Sequence, residues 1–150
     1  MTVWFEGDST IDCSIEDVKR AVENLGELHV GVVGLMPGLT SVELVEQTND
    51  SVTIKTNEGL MRRTNIAVTI EAERVVVELD EVYKAGSTVT ASSHFIDEFV
   101  ASATGVTHRL VISDIAAPGL LGVFYRNVGR SKIGNAFLAA YRAYLETAPG

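Results

Sequence analysis

Cysteine occurs once in this chain, at Cys13. A lone thiol excludes an internal disulfide and any cysteine-based zinc site, so nothing in the sequence points to an oxidising compartment. Basic residues are also scarce, with 12 Lys and Arg against 20 Asp and Glu and a formal net charge of −8. Phosphate backbones and anionic membrane surfaces are recognised by clustered Lys and Arg, so this balance predicts no nucleic-acid partner and disfavours a membrane surface. No apolar run approaches the length of a membrane span, and Met1-Thr2-Val3-Trp4-Phe5-Glu6 lacks the basic start and apolar core of a signal peptide. The expectation is a cytoplasmic protein with no integral membrane segment. No linker, repeat or low-complexity tract is visible, so 150 residues, 46% hydrophobic and 21% charged, read as one folded domain over 1–150.

The patterned segments follow in a clear order. Thr2 to Cys13 alternates as a half-buried strand, with Gly7 and Asp8 suggesting a bulge in its middle. Ser14 sits three residues before Asp17 as in a capping box, and Ile15, Val18, Val22 and Leu25 follow at helical spacing before Gly26. Leu28 to Leu35 permits a second short helix, interrupted by Gly31 and Gly34 and ended by Pro37-Gly38. Three hairpins then succeed one another: Ser41–Gln47 with Val52–Thr56, Arg62–Ile70 with Arg74–Tyr83, and Phe95–Ala103 with Val106–Ile115. Ala85 to Ser93 reads either as a loop or as the early part of a long sixth strand. From Pro118 to Thr147 one long helix is predicted, with Leu121, Phe124, Val128, Ile133, Phe137, Tyr141 and Tyr144 along an apolar stripe. That stripe must be covered by the sheet. The fold class is α+β, a helix against an antiparallel sheet of six to seven strands.

Candidate site residues come from parity. Pairing the second hairpin about its turn sets Ile70 opposite Val75, Val68 opposite Val77 and Ile66 opposite Leu79. Continued outward, the same register predicts Thr64 opposite Glu81 and Arg62 opposite Tyr83, giving an apolar face one polar end, either a pocket wall or a solvated rim. In the last hairpin the face carrying Phe95, Phe99, Leu110 and Ile112 is expected inward, and it brings Asp97, His108 and Asp114 with it. The three histidines show no ligand spacing, and no nucleophile elbow or phosphate loop occurs, so neither metal nor cofactor is expected. Gly129 and Gly134 soften the long helix, and Tyr125, Arg126, Arg130 and Lys132 form a basic patch on it, either a solvated face or a lip over a pocket.

Several strings carry a family resemblance. Ile11-Asp12-Cys13-Ser14-Ile15-Glu16-Asp17-Val18 looks like the first strand-to-helix passage of the Bet v 1/START-like (SRPBCC) helix-grip superfamily, which includes polyketide cyclases, plant allergens and lipid-transfer domains. Pro37-Gly38-Leu39-Thr40-Ser41-Val42-Glu43-Leu44 is similar to that family's entry into its second strand, especially in its carbon-monoxide dehydrogenase-related branch. Thr104-Gly105-Val106-Thr107-His108-Arg109-Leu110 resembles its turn between the last two strands. Ile15 stands where many members have proline, and the second helix lacks their tryptophan, which leaves the subfamily open. The resemblance implies a curved sheet gripping the C-terminal helix, in the order β-α-α-β6-α. It also implies a hydrophobic small-molecule ligand, such as a lipid, polyketide or isoprenoid-like compound.

The residues expected around such a ligand are Arg62, Thr64, Ile66, Leu79, Glu81 and Tyr83 on the second hairpin. Phe95, Asp97, Phe99 and Leu110 on the last hairpin join them, with Phe124, Val128, Phe137 and Tyr141 on the helix. Two alternatives stay open. One is a cyclase- or dehydratase-like enzyme with Tyr83 as proton donor, Glu81 as base and Arg62 stabilising an enolate. The other is a non-catalytic accessory subunit, and homodimerisation is left open as well.

Overall fold

Seven strands and three helices form the parts of the chain that the computed structural model describes, residues 2–85, 89–117 and 130–147. The order is β1 (Val3–Ile11), α1 (Ile15–Ala21), α2 (Leu25–Val33), β2 (Val42–Gln47), β3 (Val52–Thr56), β4 (Gly59–Ile70), β5 (Arg74–Ala85), β6 (Val89–Ser102), β7 (Gly105–Ala116) and α3 (Arg130–Thr147). All neighbours pair antiparallel in one curved sheet, in the order β1-β7-β6-β5-β4-β3-β2. The first strand therefore joins the last one, and the two helices between β1 and β2 carry the chain from one edge of the sheet to the other. This is the expected β-α-α-β6-α arrangement; Ala85 ends β5 and Val89 to Ser93 open the long β6, while Gly86 to Thr88 lie outside the described residues.

Alternation decides which face is inside. Along β5, Val75, Val77 and Leu79 are buried while Glu78 between them is exposed. On β6 and β7 the aromatic face is inward as expected, with Phe95, Phe99, Leu110 and Ile112 all in the core. The concave face so formed receives α3, which packs chiefly on β1 with α2 and β7 beside it. Phe137, Leu138, Tyr141 and Leu145 are buried there, with Ile133 and Tyr144 half-buried at the ends of the stripe. Leu121, Phe124, Tyr125, Arg126, Val128 and Gly129 lie outside the described residues.

Local details differ from the sequence expectations in three places. The β1 register runs evenly from Phe5 to Ile11, so there is no bulge at Gly7-Asp8; the irregularity lies between Val3 and Phe5 and brings Trp4 and Phe5 both into the core. Gly7 instead makes room for a ring, since a Cβ there would stand 2.8 Å from Phe5 Cζ, and from the other side a Cβ on Gly134 would stand 2.3 Å from the same ring. Gly26 does not close the first helix. α1 stops at Ala21, behind its Ser14–Asp17 capping box, and Asn24 opens α2 by accepting from the Glu27 amide.

The third difference is a bulge in β4. Ile70↔Val75 and Val68↔Val77 pair as expected, but the register shifts between Thr64 and Ala67, and Asn65 takes a left-handed backbone with φ 54°. One additional residue on one strand turns every side chain beyond it to the opposite face. Asparagine tolerates that conformation better than most residues. Beyond the bulge Arg63 pairs with Glu81 and Met61 with Tyr83, in place of the expected Thr64–Glu81 and Arg62–Tyr83 pairs.

Candidate functional site

The β4 bulge corrects the arginine. Arg62 is exposed on the outer face, opposite Val82, and Thr64 lies on that outer side opposite Asp80. Arg63 points inward with a side chain only 1% exposed, and a buried cation must be paired and hydrogen-bonded. Its Nε donates to Glu81 Oε1 at 3.1 Å and its Nη1 donates to His29 Nδ1 at 2.8 Å. Nη2 also stands 3.1 Å from Glu81 Oε1, but off the hydrogen-bonding line. Phe95 and Phe137 cover the guanidinium, with ring centroids 5.0 and 5.5 Å from Arg63 Cζ.

His29 comes from the inner face of α2, between the buried residues Leu28 and Val32. Burial, and then the Arg63 charge, hold its pKa well below the usual imidazole value. A neutral ring that accepts at Nδ1 carries its proton on Nε2. For Arg63 burial opposes the charge, but Glu81, Tyr141 and Asp97 outweigh it and the pKa is raised.

A second buried pair lies deeper. His108 Nε2 and Asp97 Oδ1 are 2.7 Å apart, both side chains nearly inaccessible. The His108 ring stacks on Phe99 at 4.4 Å and 10°, with Tyr141 4.8 Å away. Tyr141 lies between the two pairs, near enough for the charges of Asp97 and Arg63 to act on its phenol. Burial and then Asp97 raise its phenol pKa far above the ordinary value. The result is two buried polar groups, His29–Arg63–Glu81 and Asp97–His108, with Tyr141 between them inside an apolar core.

Above these groups, between the sheet and α3, lies a cavity of about 180 Å³. Trp4 of β1 and Met36, Pro37 and Leu39 of the segment after α2 form one side. Met61 of β4, Ala91 and Phe95 of β6, and Ile112 and Ile115 of β7 form the floor, and Ile133 and Phe137 of α3 close over it. Ile112 and Ile115 share that face because Asp114, with φ 57°, lies in a second bulge that exposes it. Four polar side chains reach the cavity: Glu58, Glu81, Tyr83 and Ser93. The Tyr83 hydroxyl is 3.2 Å from Thr56 Oγ1, and burial raises its pKa, with Thr56 opposing.

Of the residues expected around a ligand, the structure brings Glu81, Tyr83, Phe95 and Phe137 together at this cavity. Ile66, Leu79, Phe99, Leu110 and Tyr141 are core residues beneath it, and Asp97 and His108 are neither cavity wall nor surface but buried partners. Phe124 and Val128 lie outside the described residues. Sequence reasoning missed Trp4, Met36 and Met61, and it missed His29 and Arg63. The apolar run of α2 holds one histidine, and that polar exception in a buried helix is the signal that was available. Among the described residues no cluster of three or more potential metal ligands occurs. Cys13 is no nucleophile candidate, since burial, then Asp17, Glu146 and Asp12, push its thiol up to about 11.

No protein-family model matches the sequence, and no curated protein matches it. Solved structures do. The STAR-related lipid transfer protein from Xanthomonas axonopodis is 15% identical, covering 95% of this chain and 85% of that one, with a TM-score of 0.55. The lipid transfer and protein localization domain of human StarD13 (DLC2) is 12% identical over 95% of this chain and 77% of that one, with a TM-score of 0.56. The di-domain ARO/CYC BexL from the BE-7585A biosynthetic pathway is 15% identical, covering 97% of this chain and 50% of that one, with a TM-score of 0.55. The fold is the START-like helix grip. At these identities the likeness concerns the backbone, and the residues at the helix-grip cavity must speak for themselves. No helix among the described residues is long and apolar enough to cross a membrane.

Proposed function

We propose that this helix-grip chain binds a compact hydrophobic small molecule between its sheet and α3. The observation that carries the reading is a cavity of about 180 Å³ whose walls are largely aliphatic and aromatic, with a few polar groups, Glu81 and Tyr83 among them, at one end. Binding sites for small molecules have that composition. A dry cavity of about 150 Å³ accommodates a benzene molecule. An occupant held by these walls therefore has the bulk of a substituted ring or a short isoprenoid-like chain. Lipid transfer in the names of the structural neighbours supports a hydrophobic cargo in a common frame.

The enzyme alternative has lost its cation, because Arg62 is outside and Arg63 is covered by Phe95 and Phe137. Trp4, the chain's single tryptophan, lines the cavity and reports on occupancy. Titration of the protein with an apolar dye or a short-chain aromatic should change Trp4 emission saturably, and native mass spectrometry of gently purified protein should show a retained adduct. No saturable change with any probe of this size would rule the reading out.

A further inference from the structure

We propose that the ligand carries a hydrogen-bond donor, an amine or a hydroxyl, on its apolar body, and that the site discriminates against carboxylates. This rests on the small-molecule reading above and adds the sign of the polar contact. Glu81 faces the cavity, and its Oε1 is already engaged by Arg63, while Oε2 receives no hydrogen bond from the described residues. Among the described residues no cation lines the cavity, and Arg63 stands behind its wall. The rings of Phe95 and Phe137, which line the cavity, lie against Arg63, whose side chain is 1% exposed.

Tyr83 is neutral in this choice. Thr56 Oγ1 accepts from the amides of Glu58 and Gly59, which fills both its lone pairs, and its one proton faces Gly59 O at 3.3 Å and the Tyr83 hydroxyl at 3.2 Å. A phenol that accepts from Thr56 keeps its own proton and a second lone pair, so the Tyr83 hydroxyl can meet a ligand donor or a ligand acceptor. Glu58 adds a second carboxylate among the lining residues. A ligand carboxylate here would be desolvated beside like charge, whereas a donor would complete Glu81 Oε2.

The test uses three probes with one apolar body: phenylbutylamine, phenylbutanol and phenylbutyrate. Each is titrated into the full chain at neutral pH and followed by Trp4 fluorescence and calorimetry. The amine and the alcohol should each bind at least about tenfold more tightly than the carboxylate, a difference of about 1.4 kcal/mol. Glu81→Gln strands a buried guanidinium, so the variant of choice is Glu58→Gln. It should narrow the amine-to-carboxylate ratio several-fold and leave the alcohol unchanged. A carboxylate that saturates the site with less than that tenfold penalty overturns the donor inference and leaves the small-molecule reading standing. Absence of binding by all three, and by a neutral apolar dye, overturns both.

Discussion

Alanine at Arg63 would leave Glu81 and His29 buried without the guanidinium that both of them face. Breaking a buried ion pair by removing one partner costs about 3–5 kcal/mol. The same substitution at exposed Arg62, one residue earlier, should stay within about 0.5 kcal/mol. Denaturant unfolding of the two variants checks the β4 register directly, because equal effects would contradict it.

His29 makes stability pH-dependent. Its pKa is depressed first by burial and then by Arg63, so the folded state keeps it neutral where the unfolded chain takes up a proton. Its contribution is complete above the unfolded pKa of about 6.5 and falls by about 1.4 kcal/mol per pH unit as pH drops toward the depressed folded value. His94 has the opposite sign. Burial opposes its charge, but Asp80 and Glu78 outweigh burial and raise its pKa, so its contribution is present below the unfolded value and lost as pH rises through the folded one. Melting temperatures of His29→Gln and of the parent between about pH 5 and 6.5 isolate the first effect. The variant should show the shallower pH dependence.

At the scale of elements, Gly134 sets how closely α3 approaches β1. Alanine there would raise helix propensity by about 1 kcal/mol. Its Cβ, however, would stand 2.3 Å from atoms at the base of the Phe5 ring, which cannot swing aside as a flexible chain end could. Overpacking of this kind costs about 1–3 kcal/mol, so Gly134→Ala should lower the melting temperature. A melting temperature equal to or above that of the parent would show that Phe5 yields.

The same scale shows where reading the sequence stops. The hairpin partners next to the turn, Ile70 with Val75 and Val68 with Val77, were legible, because the turn anchors the register. Beyond Asn65 the alternation continues in the sequence but not in space, and the inferred Arg62 and Thr64 placements fell on the wrong face. A β-branched residue is poorly suited to φ 54°, so Asn65→Val should destabilise by about 1–2 kcal/mol in chemical unfolding.

For the whole molecule, the cavity between sheet and helix is the feature on which the proposed binding rests. Ala91 lies on its floor. Ala91→Leu should fill part of the space and abolish probe binding while leaving the melting temperature unchanged or raised, as measured by Trp4 titration and thermal unfolding. Loss of both binding and stability would mean that Ala91 is close-packed and not a free wall.

The order of elements, the inward aromatic face of β6 and β7 and the apolar stripe of α3 were determined by the sequence alone, because alternation and helical spacing are local and each segment records its own buried side. Alternation and helical spacing likewise put Glu81, Tyr83, Phe95 and Phe137 on the faces that line the cavity. Tertiary structure decided the rest. Which arginine faces inward depended on one additional residue in β4, and the His29–Arg63 bond joins residues 34 positions apart only because α2 lies against the sheet. A bulge resets parity for everything beyond it, and a helix chooses its partner by packing. Neither event leaves a periodic trace in the chain.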